Sequence, residues 1–474
     1  MALTCVSPTS HRGLRSGGHL AHRSRLLRRR GHVADRRVVD DALTQRWDGL
    51  NRGALLSCCA ARACNPDRRA DLPPWSEIMS TLRIVVATSW LAEYPQGGGI
   101  WAWILHYLNG LRDLGHKVFL IDRMHSSTRP VFDTRRIAIL RERLKRLGLT
   151  DHWAVICSDK GTLPQRLEDY TVYGASETRL RDIIRDADLL WNLAGALPWP
   201  LLSSFKRTVL LDGDPGQLQI SSLSWDMKLD HHHVLFTAGT KVNDRDCEIP
   251  RLGLSWQSFL PPIYLPSCQP DFNPDHNATV TSVTQWNWAN EFRLKDRVLS
   301  DSKRDAYLRY VRLPTLSRRM FTLAANIDPR DKTGDVDLLK ANGWNLVHPH
   351  HVARTPKTYI EFIKHSLCEF GCAKPIYVDL RTGWFSERSA TYLACGRPVI
   401  VENTGFSDHI KTGRGLLTFS NLEEAASSID SVMTDYSLHS RAARELAVSC
   451  FSSARVLPKM IEASFGGKRS NTLD

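Results

Sequence analysis

RTGWFSERSATYLACGRPVIVENTGF, from Arg381 to Phe406, is the stretch whose reading decides the fold of this chain. Phe385 to Cys395 reads as a helix: Tyr392, Leu393 and Ala394 turn inward, and Gly396 with Pro398 stops it. Val399 to Val401 reads as a short buried strand, and Thr404-Gly405 falls at that strand's carboxyl end. The first helical turn carries Glu387, Arg388 and Ser389. In open α/β sheets ligands bind beyond the carboxyl ends of the strands, beside helix N-termini whose free N–H groups and dipole favour an anion. Arg388 can fork onto a phosphate there, with Ser389 and the Thr404-Gly405 turn beside it, while Glu387 suits a ribose or sugar hydroxyl. The competing reading is a capped helix end with a solvated charge pair.

The same grammar runs upstream. In LRIVVATSWLAEYPQGGGIWAWILHYLNGLRDLGHKVFLID, Arg83 to Thr88 is a β-branched run. Ile100, Ile104, Leu108 and Leu111 recur at helical spacing, and Val118 to Ile121 is a second strand. That is one βαβ unit, which predicts a parallel sheet. Gly97, Gly98 and Gly99 sit where such a unit meets a ligand, and they read as an acceptor or phosphate loop or as a tight turn; GGG is not the GxGxxG fingerprint. Alternation continues to Val234–Thr237, and LPPIYLPSCQPDFNPDHN then breaks the pattern as a hinge. Strand and helix signals restart with ATVTSVTQW, followed by a helix around Ser302 to Val311 that Lys303 opens. The reading is α/β: two Rossmann-like domains facing a cleft. Residues 79–265 form an N-terminal acceptor domain, 266–450 a C-terminal donor domain, and 451–474 a crossing helix and tail.

The net charge of +13 over 474 residues is unevenly placed. Residues 1–78 hold 14 Arg, no Lys and 7 acidic residues, which is more than half of the total; the rest is mildly basic for its length. That places the charge in a tail rather than on a folded face, which argues against nucleic-acid recognition. The tail has no hydrophobic periodicity and reads as a disordered or wrongly included extension, with Met79 a plausible start; Asp35, Asp40 and Asp41 spoil an acid-poor targeting signature. No run approaches a membrane span. Seven of the 11 Cys are scattered after residue 78 without a pairing framework, which points to a reducing, cytoplasmic setting.

GWFSERSATYLACGRPVIVENTGF, followed by GRGLLTFSNLEEA and HSRAARELA, resembles the C-terminal half of GT-B glycosyltransferases of the group 1 type, in particular a bacterial subset with a GWFSxRS signature. LLDGDPGQLQI, HVLFTAG, IPRLGLSW and GWNLVHP fit that subset too, so the resemblance runs from about Met79 to Phe451. It implies a nucleotide-sugar donor held mainly by the second domain, an acceptor held by the first, no metal or other cofactor, and a final helix crossing back, for which Ser453 to Phe465 is placed. The family's two Glu residues fall at Gly383 and Thr391 here, so neither is acidic; Glu387 lies between them as a replacement catalytic carboxylate.

Asp212-Gly-Asp214 imitates a metal-binding DxD but leads into a Pro-Gly turn; either Asp can serve as the base that takes a proton from an acceptor hydroxyl. Lys303 is placed to neutralise a donor diphosphate. His231, His232 and His233 alternate faces and cannot share a metal, while His348, His350 and His351 cluster in a loop near the donor edge. Trp286 and Trp288 suit sugar stacking or a core. The acceptor is left open as a glycan, lipid or small molecule, with peripheral membrane contact possible. Two other functions remain at this point: a nucleotide-sugar epimerase or phosphorylase on the same fold, and a nucleic-acid-binding protein that uses the basic tail.

Overall fold

Short aliphatic runs buried on both faces, separated by amphipathic helices, form two mainly parallel sheets. The computed structural model describes residues 81 to 466 apart from 163, 276, 287, 329 and 331, so the Arg-rich tail and Met79 lie outside the described residues. The first sheet contains β1 (Arg83–Thr88), β2 (Lys117–His125), β3 (Trp153–Ser158), β4 (Thr171–Gly174), β5 (Leu189–Leu193), β6 (Thr208–Asp212), β7 (Val234–Thr237) and β8 (Trp256–Ser258). Their order is β4-β3-β2-β1-β5-β6-β7-β8, and the β3–β4 pair alone is antiparallel.

The second sheet contains β9 (Val280–Thr284), β12 (Phe321–Ala325), β13 (Trp344–Val347), β14 (Cys368–Gly371), β15 (Val399–Glu402) and β16 (Leu416–Phe419); between β9 and β12 the chain makes a separate hairpin of β10 (Glu291–Leu294) and β11 (Arg297–Ser300). The order β13-β12-β9-β14-β15-β16 is that of a doubly wound dinucleotide-binding sheet, and the first sheet repeats it between its two edge strands. Each sheet therefore reverses direction at one point, beside β1 and beside β9, and each opens a crevice there.

The helix predicted in the deciding stretch spans Glu387–Ala394, with Ser386 as its N-cap: the Ser386 hydroxyl accepts the Arg388 N–H at 3.1 Å. The last helix, Ser453–Ser464, lies on the first half. Leu457 and Ile461 are fully buried in that core, and the Ser464 carbonyl oxygen accepts the Arg207 Nε–H at 2.8 Å. Burying two such side chains stabilises the crossing by about 3 to 6 kcal/mol.

The hairpin was not legible as such in the sequence. Lys295, at its turn, takes a positive φ of 53°, and Phe292, Leu294 and Leu299 pack with Ile220 of the first half and with Ile376, Tyr377 and Leu380 of the second. A further clasp surrounds Lys241, which meets Asp246 at 2.9 Å, Asp244 at 3.5 Å and Asp408; Arg381 joins Asp246 at 2.8 Å. Among the described residues no helix is long and apolar enough to cross a membrane.

Candidate functional site

The carboxyl ends of β14 and β15 and the N-terminus of helix Glu387–Ala394 enclose a small pocket lined by Cys372, Ala373, Trp384, Ser386, Arg388, Ser389 and Glu402, among others. Arg388 does not point freely into it. Its Nε donates to Glu369 Oε1 at 2.6 Å and its Nη1 to the Val283 carbonyl oxygen at 2.9 Å. Burial pulls the guanidinium's pKa down, but the neighbouring Glu369, itself 0% exposed, is the main influence that raises it again, and the net direction is up. Gly371 leaves room for the pair, since a Cβ there would stand 3.2 Å from Arg388 Nη2 and 3.3 Å from Glu369 Oε1. Ser389 Oγ and Glu369 Oε2 are buried without a hydrogen-bond partner. Two unmet polar atoms beside one cation mark a place that a polar ligand group or water can fill.

Lys303 approaches the same place. It is 7% exposed, donates to the Cys372 carbonyl oxygen, and lies 5.5 Å from the centre of the Trp384 ring. Burial, then the like charges of Arg388 and Lys374, bring its pKa down to about 7. Lys374, which sequence reasoning did not single out, bonds Asp214 Oδ1 at 2.7 Å. Of these three basic side chains Arg388 alone lines the pocket, and Lys303 lies within electrostatic reach of both others.

The two aspartates of the DGD turn have different fates. Asp212 is buried, and its oxygens take the Asp214 N–H at 3.1 Å, Gln219 Nε2 at 2.9 Å and the Thr237 hydroxyl at 2.8 Å. Burial raises its pKa to about 6, but its lone pairs serve the turn. Asp214 stands at the mouth of the cleft with its side chain 54% exposed. Enclosure by both halves pushes its pKa up, yet Lys374, the Tyr377 hydroxyl and more distantly Lys303 outweigh that and hold it below the usual carboxylate value.

Glu387 Oε2 lies 3.4 Å from the Ser386 hydroxyl. Burial raises its pKa, and its charge adds to burial in raising the phenols of Tyr107 and Tyr359. Thr404 donates its hydroxyl to the Trp384 carbonyl oxygen at 2.7 Å, and Gly405 turns with φ 96° against the Lys241 stem, so both shape the Trp384 loop.

The glycine loop joins the halves. The Gly98 N–H donates to the Ala353 carbonyl oxygen at 2.9 Å, and a Cβ on Gly98 would overlap the carbonyls of Ala353 and Thr355. Gly97 precedes the helix Gly98–Asp113 as its N-cap, and a Cβ on Gly99 would stand 3.4 Å from the Tyr359 ring. At Gly98 the close approach of protein backbone occupies the space that the missing side chain leaves.

His232 bonds Asn192 Nδ2 at 3.0 Å and burial lowers its pKa to about 4; His233 bonds Thr208, and His231 stacks on Trp199 at 4.3 Å. His348, His350 and His351 are exposed. Among the described residues no group of three His, Cys, Asp or Glu side chains could hold a metal ion. Trp286 is buried with its Nε1–H on Asp335 at 3.0 Å, whereas Trp288 is exposed. Glu369, Lys374 and Tyr377 are the site residues that sequence reasoning missed. The one visible signal was a glutamate inside the otherwise apolar strand CEFG.

No family model matches the chain, and no curated protein matches it. Among solved structures it is similar to HepE from Anabaena in complex with UDP-glucose, at 10% identity and a TM-score of 0.50, covering 80% of this chain and 98% of that one. The chain has the GT-B fold. Sucrose-phosphate synthase from Thermosynechococcus elongatus is similar at 10% identity and a TM-score of 0.48, covering 81% of this chain and 99% of that one. In this GT-B fold the pocket at Arg388 and the Asp214 turn belong to opposite walls of one cleft, joined by the Trp384 Nε1–H on the Gly213 carbonyl oxygen at 3.1 Å.

Proposed function

We propose that this protein transfers a glycosyl group from a nucleoside-diphosphate sugar to an acceptor hydroxyl, without a protein-bound metal, in the cytoplasm. One observation carries the reading. Arg388 lines a small pocket at a helix N-terminus where Ser389 Oγ has no partner, and Lys303 lies within electrostatic reach of Arg388. An unmet hydroxyl beside a guanidinium at the N–H end of a helix suits an anionic group better than a neutral one, so a diphosphate fits the place. That the similar HepE structure holds UDP-glucose supports the same class of donor.

The chemistry follows from charge. As the bond from the anomeric carbon to the diphosphate oxygen breaks, the electron pair leaves with the diphosphate. Arg388, Lys303 and the free N–H groups of helix Glu387–Ala394 stabilise that developing charge. Asp214 takes the proton of the acceptor hydroxyl, whose oxygen forms the new bond; Asp212 holds the turn that aims it. Glu387, facing the cleft from the same helix, binds a sugar hydroxyl. Ser389 completes the phosphate contacts, and Thr404 and Gly405 hold the Trp384 loop against them. Contacts on the first half select the acceptor.

A thermal-shift screen against nucleoside diphosphates and their sugars tests the donor, because a ligand that binds the native state raises its melting temperature by mass action. A flat response to the whole panel overturns the reading. Chromatography of the stabilising donor incubated without acceptor separates transfer from epimerisation: an epimerase would interconvert it unaided.

A further inference from the structure

Lys374 is placed between two charges of opposite meaning. On one side its Nζ meets Asp214 Oδ1 at 2.7 Å, across the cleft and 160 residues away in sequence. On the other side its own chain leads, through Ala373, to Cys372, whose carbonyl oxygen holds Lys303 and which lines the Arg388 pocket with Ala373. The charge of Lys374 is felt by Lys303, so the ammonium is within electrostatic reach of the pocket. Its side chain is 16% exposed and passes 5.4 Å from the Tyr377 ring, whose hydroxyl also bonds Asp214. The two side chains that bond Asp214 Oδ1, Lys374 and Tyr377, thus both come from the donor half of the molecule.

We infer that Lys374 couples the two substrates: a diphosphate in the Arg388 pocket draws the Lys374 ammonium away from Asp214, and the freed carboxylate becomes the stronger base for the acceptor hydroxyl. This rests on the donor-site reading above. A carboxylate paired with an ammonium is a poor proton acceptor, and breaking the pair raises its basicity. The acceptor is thus activated when a leaving group is in place. Lys374 acts here as a positioning residue, through Asp214, and as a direct partner of the diphosphate.

Competition for one lysine is measurable without turnover. Inorganic pyrophosphate binding to wild type, Asp214→Asn, Lys374→Met and the double variant, read by calorimetry at low ionic strength, forms a double-mutant cycle. Asp214→Asn frees the lysine and is expected to tighten pyrophosphate about fivefold, while Lys374→Met weakens it. In the Lys374→Met background the Asp214→Asn gain is expected to vanish. Undiminished tightening in that background would mean bare charge repulsion and overturns the shared lysine, as does an unchanged affinity in Asp214→Asn alone. Lys374→Gln serves in the cycle if the Met variant melts early, and the affinity of Asp214→Asn tests the competition without either. A wild type blind to pyrophosphate and to every nucleoside diphosphate overturns the donor site and this coupling together; wild-type binding with a flat cycle overturns the coupling alone.

Discussion

The Thr240 hydroxyl donates to the Gly383 carbonyl oxygen at 2.8 Å, across the two halves of the molecule. The Lys241 N–H adds a bond to the Thr382 carbonyl oxygen at 3.2 Å, and Gly239 pairs with Trp384 as an isolated antiparallel bridge. The loop after β7 thus fixes the loop that leads into helix Glu387–Ala394, so the position of the Arg388 pocket depends on closure of the cleft.

Gly383 makes that contact possible. Its φ is 72°, and a Cβ would overlap the Thr240 hydroxyl and stand 2.8 Å from the Lys241 nitrogen. Gly383→Ala is expected to lower stability by about 1 to 3 kcal/mol and to weaken nucleoside-diphosphate binding with it. Denaturant unfolding and calorimetry check this; a variant with wild-type stability and affinity would show that the bridge carries nothing.

Arg388→Ala is expected to harm folding as well as binding, because Glu369 depends on it. Removing the guanidinium leaves a fully buried carboxylate unpaired, at a cost of about 3 to 5 kcal/mol. The combination Arg388→Met with Glu369→Leu should recover most of that stability and still bind pyrophosphate poorly. Recovered binding would remove Arg388 from the donor site.

Lys303 links binding to protons. Its folded pKa of about 7 lies below its ordinary value of 10.5, so between those two values the unfolded chain holds more protons than the folded one. Stability therefore rises with pH across that window, and the cost of burying the ammonium is fully present below about pH 7. A diphosphate beside it restores the charge, so binding at pH 8 should take up a proton. The observed calorimetric enthalpy should then depend on the ionisation enthalpy of the buffer, and in Lys303→Met it should not. Buffer-independent heats in the wild type would contradict the placement.

Asp212 and Asp214 should separate cleanly. Asp212→Ala removes three hydrogen bonds inside a buried turn and is expected to lower stability by about 2 to 3 kcal/mol. Asp214→Asn, at an exposed position, should melt like the wild type and lose turnover. Equal stability losses in both would refute the division of roles.

Glu387→Gln keeps the shape and removes the charge beside Tyr107 and Tyr359. Loss of turnover with a smaller loss of diphosphate affinity is expected from steady-state kinetics and calorimetry. Wild-type turnover would exclude a role in transfer.

Much of the framework was written locally. Arg83–Thr88 and Val234–Thr237 are strands at the predicted bounds, and Glu387–Ala394 is the predicted helix shortened at both ends. Length and composition are enough for that, because an aliphatic, β-branched-rich run of four to six residues is too short for a helix and buries itself as a strand. The hairpin Glu291–Ser300 escaped: its two strands are four residues each, and its turn residues Lys295 and Asp296 carry no glycine to announce them.

The sequence alone determined which residues reach the carboxyl edges of the sheets, since strand and helix periods fix direction along the chain. Tertiary structure alone decided what each of them does there. Arg388 finds Glu369 19 residues away and Lys374 finds Asp214 160 away, while Asp212 is saturated by Gln219 and Thr237. Whether a charge is buried, paired or open to a ligand depends on distances between strands that no local pattern encodes, and electrostatic energy in a low-dielectric cleft varies with those distances more than with residue type.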